Sequence, residues 1–315
     1  MLNVPCLLVI VGATAVGKTA LAIRLAQIFQ SPILSADSRQ VYRYFDIGTA
    51  KPTLEERSGV PHYLIDLVDP DYNFTLAEYQ QQAQQLIADF HKQGVSPILV
   101  GGTGLYIKSI VSGLCIPRVP PQPALRQQLT ELGQSYCYQL LQEIDPASSA
   151  KIHPHDAVRT LRALEVFYVT GTTLSALQAV NQPTYPILQI GIASPPRSCY
   201  LQVIEERIRQ MLKQGWLEEI QFIQNKYGKN LPLLRTIGYA EIADYLAGLT
   251  SLETAIEKAV ISTYQFAKRQ RTWFRGDRRI IWIDPQQKWD ALLELVHNRE
   301  NWQVHPHNDT ADHAS

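Results

Sequence analysis

The chain has 315 residues, 45% of them hydrophobic and only 18% charged, so it can bury a sizeable core and is not broadly disordered. Lys plus Arg and Asp plus Glu both number 29, giving a formal net charge of zero. This excludes a histone-like or acidic-tail protein, and any polyanion site has to be a local patch.

The first apolar stretch, LLVIVGA, has no Lys or Arg before it and runs straight into a glycine-rich motif. It reads as a buried strand and not as the core of a signal peptide. No other segment approaches the ~20 apolar residues of a membrane helix, so no membrane partner is expected. Further strands are predicted at 32–35, 63–67 and 97–100, with a helix between the last two. In that helix Leu76, Tyr79, Ala83, Leu86, Ile87 and Phe90 share one face at period 3.6. Runs that are apolar at every position imply strands covered on both faces, hence a parallel sheet in a doubly wound α/β domain. Ligands then sit at the carboxyl ends of the strands.

After Gly113 the pattern changes. IPRVPPQP reads as a linker, and 123–180 is helical throughout. A strand returns at 187–193, helices follow over 197–224 and 252–274, and a last strand over 280–284 precedes a short helix. The predicted organisation is therefore an α/β P-loop core in two parts, 1–118 and 185–300, with an all-helical insertion at 119–184. The tail 301–315, whose histidines offer weak metal ligands, is expected to be disordered. Cys6, Cys115, Cys137 and Cys199 form no C-x-x-C pair, so neither a disulfide framework nor a cysteine zinc site is expected, and a cytoplasmic setting fits.

Residues 12–19 (Gly12, Ala13, Thr14, Ala15, Val16, Gly17, Lys18 and Thr19) match G-x-x-x-x-G-K-[ST] between a strand and a helix, the context that motif requires. The glycines let successive N–H groups face an anion, Lys18 adds a point charge, and Thr19 offers a hydroxyl to Mg²⁺. The cradle reads phosphate oxygens and not what they are attached to, so ATP is one candidate ligand among several. Asp37 follows the second strand, which an ordinary doubly wound order sets beside the first. It is a candidate base or, alternatively, a helix N-cap. Asp66 and Asp69 are nominal Mg²⁺ ligands of the NTPase kind. GGTGLY at 101–106 faces the same crevice with more N–H donors, or is a plain strand-to-helix turn. Lys51 carries no chemistry that spacing can assign. Lys268, Arg271, Arg275 and Arg278 recur at i, i+3, i+7 and i+10, with Arg269 and aromatics nearby. They form a phosphodiester track or a solvated helix face. Arg159 and Arg162 share a face in the insertion and are equally ambiguous.

In combination and order, GATAVGKT, SADSRQVYRYFDIGTAKP, GGTGLY, DAVRTLRALEV, RTIGYAE and AKRQRTWFRG resemble the bacterial tRNA dimethylallyltransferases, the IPP transferase family, over the chain to about residue 300. The resemblance implies transfer of a dimethylallyl group from dimethylallyl diphosphate to the N6 amine of the adenosine 3′ to the anticodon, in tRNAs reading codons that begin with U. It implies Mg²⁺ as cofactor, the P-loop as the diphosphate site, Asp37 as general base and Thr103 as a second anchor near the reacting centre. It further implies tRNA contacts at Asp37, Ser38, Arg39 and Gln40; at Val158, Arg159, Thr160, Leu161 and Arg162; at Arg235, Thr236, Ile237, Gly238, Tyr239 and Ala240; and at Lys268, Arg269, Arg271 and Arg275. Arg39 has no catalytic role in this reading, and a monomer is the default expectation. Rival readings are a P-loop small-molecule kinase, a prenyltransferase of free adenine nucleotides, and a nucleotide-dependent RNA-binding switch without transfer chemistry.

Overall fold

The computed structural model describes residues 5–178, 181–284 and 289–298. Strand β1 (Leu7–Gly12) is buried along its whole length, as a run apolar at every position requires. Helix α1 (Lys18–Phe29) begins directly after the glycine motif, because Gly17 at φ 88 makes a left-handed turn that a side chain opposes. Strands β2 (Ile33–Ser35) and β3 (His62–Tyr63) flank a long loop. Helix α2 (Leu76–Lys92) is launched by a capping box: Thr75 Oγ1 accepts from Glu78 N–H, and Glu78 Oε2 accepts from Thr75 N–H. It buries Tyr79, Ala83 and Ile87, the stripe that its period set. Strand β4 (Ile98–Gly101) and helix α3 (Gly104–Val111) follow.

The chain then makes α4 (Pro123–Leu132), α5 (Gln134–Ile144), α6 (Pro146–Ser149), α7 (Ala157–Thr170) and α8 (Leu174–Leu177). It returns to the sheet with β5 (Ile187–Ile192), then forms α9 (Arg197–Lys213), α10 (Trp216–Tyr227), a 3-10 turn (Pro232–Arg235) and α11 (Tyr239–Leu246). The 24-residue α12 (Leu252–Arg275), strand β6 (Ile280–Ile283) and α13 (Trp289–His297) complete the described chain. The expected tail at 301–315 lies outside the described residues.

All six strands pair in parallel, in the order β3-β2-β4-β1-β5-β6. This is the expected P-loop α/β class, with one correction of order. Strand β4 lies between β1 and β2, so GGTG, and not Asp37, is the immediate neighbour of the P-loop. Leu8, Ile10, Ile33, Ile98, Val100 and Ile190 pack with Ala22, Leu25 and Ala26 of α1 to form the core on one face. Two local readings also change. The strand predicted at 63–67 stops at Tyr63, because Leu64 and Asp66 turn to φ 63 and 52 and Asp66 is drawn to Lys51. The helix predicted over 197–224 breaks at Gly215, φ 102, into α9 and α10. No described helix is long and apolar enough to cross a membrane.

Met1–Ile107 with Thr184–Ser315 forms one compact unit, and Lys108–Pro183 forms a second. The second has its own core of Leu129, Cys137, Leu141, Ile152, Ala163 and Leu164. Beside that core sits a carboxylate with no exposure at all, Glu165. It accepts from Arg126 Nε and Nη2, both at 2.8 Å, from Arg162 Nη1 at 2.5 Å and from Gln122 N–H at 2.7 Å. Burial by itself pushes its pKa up. The hydrogen bonds from Arg126, Gln122 N–H and Arg162 outweigh burial and hold it at about 2.

A carboxylate depressed in this way stabilises the fold fully above its ordinary pKa of 4.5, and that stability is lost as pH falls toward 2. Urea unfolding of this unit is therefore expected to weaken across that window, and Glu165→Gln is expected to flatten the dependence. Because two guanidiniums are left without their partner, Glu165→Ala is expected to cost about 3 kcal/mol at neutral pH. A loss below about 1 kcal/mol, the range of a solvent-exposed pair, would show that they are simply re-solvated.

Candidate functional site

The carboxyl ends of β1, β2 and β4 open on one cleft of about 830 Å³, lined by the P-loop residues Thr14, Ala15, Gly17, Lys18 and Thr19 together with Asp37, Gln40, Lys51 and Arg207. A second cavity of about 310 Å³ is lined by Ser38, Arg39, Thr103, Trp216, Arg235, Thr236, Ile237, Gly238 and Phe266. The two share Thr14, Ala15, Asp37, Thr49, Arg207 and Met211. The first carries Lys18, Lys51 and Arg207 against Asp37, Asp46 and Glu56, and the second carries Arg39, Arg207 and Arg235 beside Trp216 and Phe266, so Asp37 and Arg207 stand where the two meet.

Lys18 donates from Nζ to Ala13 O at 2.5 Å across its own loop. Its pKa is lowered to about 8, first by burial and then by the charge of Arg207, with Asp37 opposing. Arg207, on the inner face of α9, is itself lowered by burial and makes no hydrogen bond or ion pair among the described residues. Two cations thus face a cleft in which Asp37 is the carboxylate that acts on both, with Glu56 also acting on Arg207, an arrangement that suits an anionic ligand. Sequence reasoning missed Arg207, because nothing local separates it from Arg209. That neighbour points outward and pairs with Glu205 and Glu253.

Asp37 caps no helix. Its Oδ1 accepts Arg39 N–H at 2.8 Å in a tight turn, while Oδ2 has no hydrogen-bond partner among the described residues. Thr103 fixes this turn, donating from its N–H to Ala36 O at 3.1 Å and accepting Ser38 N–H on Oγ1 at 2.9 Å. Gln40 has its side chain fully occupied within the loop, by Ser35 Oγ, Thr49 O and Ala50 O. Lys51 is buried and donates to Tyr42 O at 2.8 Å and to Asp46 and Asp66, each at 2.5 Å. Asp66 is therefore engaged, and Asp69 pairs with Arg43 at 3.2 Å. Neither lines the cleft, so the two nominal NTPase acids are not in place for a metal there.

Glu219, from α10, accepts the N–H groups of Asp46, Ile47 and Gly48 and the hydroxyl of Tyr239, which anchors the far wall of the cleft. A Cβ on Gly48 would lie 2.2 Å from Trp216 and 2.5 Å from Tyr239, so only glycine allows these rings to close over the loop. Burial raises the Glu219 pKa against the pull of its donors, led by Tyr239.

The GGTG turn is not simply a set of free N–H donors. A Cβ on Gly102 would meet Gln270 at 2.3 Å and one on Gly104 would meet Trp273 at 2.3 Å, so its glycines admit the close approach of α12. On that helix Lys268, Arg269 and Arg275 are exposed and Arg271 is half-buried near Tyr200. Arg235 is exposed, and Ala240 is half-buried. Tyr239 has no exposure, and its hydroxyl is held by Glu219. In the second unit Val158 is exposed and Leu161 half-buried, while Thr160 is fully buried. Arg159 is open to solvent beside Asp156, whereas the Arg162 guanidinium turns inward to Glu165 and Pro117 O. The two arginines predicted to share a face therefore have different tasks.

Among the described residues no three His, Cys, Asp or Glu side chains gather to hold a metal. Mg²⁺ does not need such a cage, since it is commonly held by one or two protein oxygens and substrate phosphates. Thr19, which lines the large cleft, offers a hydroxyl that fits that kind of binding.

A model of the IPP transferase family matches residues 40–277. A tRNA dimethylallyltransferase of Microcystis aeruginosa is 59% identical over 295 residues, covering 93% of this chain and 92% of the relative. One of Synechocystis is 56% identical over 299 residues, covering 94% and 97%. The crystal structure of a full-length tRNA isopentenylpyrophosphate transferase from Bacillus halodurans is similar with a TM-score of 0.69 at 36% identity, covering 93% of this chain and 94% of that one. A eukaryotic dimethylallyltransferase acting on tRNA is similar with a TM-score of 0.77 at 30% identity, covering 94% and 77%.

An anion bound at Lys18 raises a pKa that stands at about 8 in the free protein. Sulfate, whose charge is constant over this range, is therefore expected to bind in full strength below that pH, to take up a proton as it binds just above it, and to weaken as pH rises further. Calorimetry in buffers of different ionisation enthalpy measures all three; an affinity flat through pH 8 and beyond would place Lys18 outside the anion's reach. Arg207→Ala is expected to weaken the same binding by roughly tenfold or more, the value of a charge-assisted hydrogen bond.

Proposed function

From the premise that the chain belongs to the IPP transferase family, we propose that its cleft joins a prenyl diphosphate to an adenosine of tRNA. The family makes it a transferase that prenylates tRNA. The finer reading is a dimethylallyl group, carried by dimethylallyl diphosphate and moved to the N6 amine of the adenosine 3′ to the anticodon, in tRNAs reading codons that begin with U. The observation that carries it is the junction of two chambers at Asp37 and Arg207, one built on the P-loop with Lys18 and the other lined by Trp216, Phe266 and three arginines. The tRNA substrate and the absence of disulfides support a cytoplasmic location.

The chemistry asks three things of the protein. As the allylic C–O bond breaks, charge gathers on the leaving diphosphate, and Lys18, Arg207 and the P-loop N–H groups other than that of Thr14, which Gln270 holds, can answer it. Mg²⁺ on the diphosphate, with Thr19 as a protein ligand, supplies further Lewis-acid stabilisation when bound. An adenine exocyclic amine is a weak nucleophile, since its lone pair is delocalised into the ring. The unpartnered Oδ2 of Asp37 can take its proton as the C–N bond forms, an effect worth roughly 10² to 10⁴ in rate. Thr103 and Arg39 N–H hold that carboxylate in place. The target base has to leave a stacked loop to reach Asp37, at a cost of a few kcal/mol. The chamber of Trp216, Phe266 and Ile237 offers it a surface to pack on.

Incubating undermodified tRNA with the protein, Mg²⁺ and dimethylallyl diphosphate, without any nucleoside triphosphate, should add one dimethylallyl mass to a single adenosine. A strict need for ATP with a phosphorylated product would assign the cleft to a kinase. Asp37→Asn should lower single-turnover transfer by about 10² or more while tRNA affinity holds. Near-normal turnover would return Asp37 to a structural turn. Replacing the two exposed cations Lys268 and Arg275 by Ala should weaken all substrate tRNAs by similar factors and reduce the salt slope by about one per lost contact. An unchanged slope would mark that face of α12 as merely solvated.

A further inference from the structure

Gln270 lies within the basic run of α12 yet is buried, facing the sheet between the exposed Arg269 and the half-buried Arg271. Its amide makes two hydrogen bonds of opposite sense: Oε1 accepts Thr14 N–H at 2.8 Å, and Nε2 donates to Gly102 O at 2.9 Å. The partners fix the amide orientation, since one can only donate and the other only accept. One side chain thus ties the P-loop to the GGTG turn. The next peptide unit, 14–15, is also held, by Tyr200 of α9, whose hydroxyl donates to Thr14 O at 2.5 Å. Thr14 lines both chambers.

We propose that Gln270 is a positioning residue through which tRNA docking on α12 acts on the diphosphate cradle. The inference rests on the reading of α12 as a tRNA-docking helix. Its outer face carries Lys268, Arg269 and Arg275, and its inner face carries the amide that sets a P-loop N–H. A doubly bonded amide satisfies both partners in only one helix position, so a shift or ordering of α12 on RNA reaches Thr14 directly. Coupling of this kind is reciprocal: RNA that tightens the cradle for a diphosphate is itself tightened by that diphosphate.

The test measures Mg²⁺–pyrophosphate binding with and without an unmodified anticodon stem-loop RNA. In the wild type the RNA is expected to tighten pyrophosphate about fivefold or more, within the usual range of such couplings. In Gln270→Met, which keeps the bulk and removes both hydrogen bonds, that ratio should fall to about one, with RNA affinity alone changed less than about twofold. Donor KM should rise more than kcat falls. Phe274→Leu, which loosens the same buried face one turn further along and leaves both Gln270 hydrogen bonds in place, should keep the wild-type ratio.

An undiminished ratio in Gln270→Met overturns the proposal, as does a ratio of one in a wild type that transfers prenyl groups. Loss of the ratio in Phe274→Leu overturns it too, by assigning the effect to helix docking in general. Should Gln270→Met fail to fold, amide exchange over 12–17 in the wild type decides: slowing on addition of RNA supports the proposal, and no change overturns it. Failure of the tRNA reading itself looks different, with neither RNA binding nor transfer by the wild type.

Discussion

Withdrawing an ammonium from water costs free energy, and the position of Lys18 has meaning only together with what offsets that cost. Burial and the neighbouring Arg207 both disfavour its charged form, while Asp37 alone among the named causes favours it. A P-loop normally answers this with a nucleoside triphosphate, but its geometry requires only phosphate oxygens near a helix N-terminus. Here the cleft puts a carboxylate with a free oxygen opposite those cations. That combination suits a reaction in which one partner departs with negative charge and the other has to lose a proton.

A carboxylate and two cations hold their spacing only if the loops that carry them are stiff. The loop from Ala36 to His62 has almost no regular secondary structure, and its order comes from side chains reaching in from elsewhere. Glu219 collects three consecutive N–H groups from it, Lys51 ties the Tyr42 carbonyl and Asp46 within it to Asp66 beyond β3, and Thr103 holds the turn behind Asp37. The P-loop is held likewise, by Gln270 and Tyr200 on either side of Thr14. Lys51, Gln270 and Tyr200 are buried and Glu219 and Thr103 half-buried, each with polar partners, the condition under which such networks rigidify a site. The glycines at 48, 102 and 104 belong to the same design, since each lets an aromatic ring or an amide come within a distance that a Cβ would occupy.

The neutral charge total hides two kinds of basic residue. Some arginines are structural: Arg126 and Arg162 surround the buried Glu165, and Arg279 is bidentate with Asp277. Others, such as Lys268, Arg269 and Arg275, remain exposed on one helix. Only the second kind is available to a polyanion at low desolvation cost, which is how a chain of zero net charge can carry an RNA-binding face.

The sequence by itself determined the elements and the class of site. Uniformly apolar runs at β1 and β4 read as strands covered on both faces, and the spacing from Gly12 to Thr19 reads as a strand-to-helix turn, because both are properties of a few consecutive residues. Asp37 and Thr103 were legible for the same reason, as they sit at strand ends. Tertiary structure decided the rest. The insertion of β4 between β1 and β2 depends on which strand edges pair, and no local pattern records that choice. Whether Arg207 faces the cleft while Arg209 faces solvent, or Arg162 turns inward while Arg159 stays exposed, depends on how each helix is rotated against its neighbours. Nothing in the basic run around Gln270 marks that residue, and only the packing of α12 against residues more than 160 positions away makes it a clamp on the P-loop.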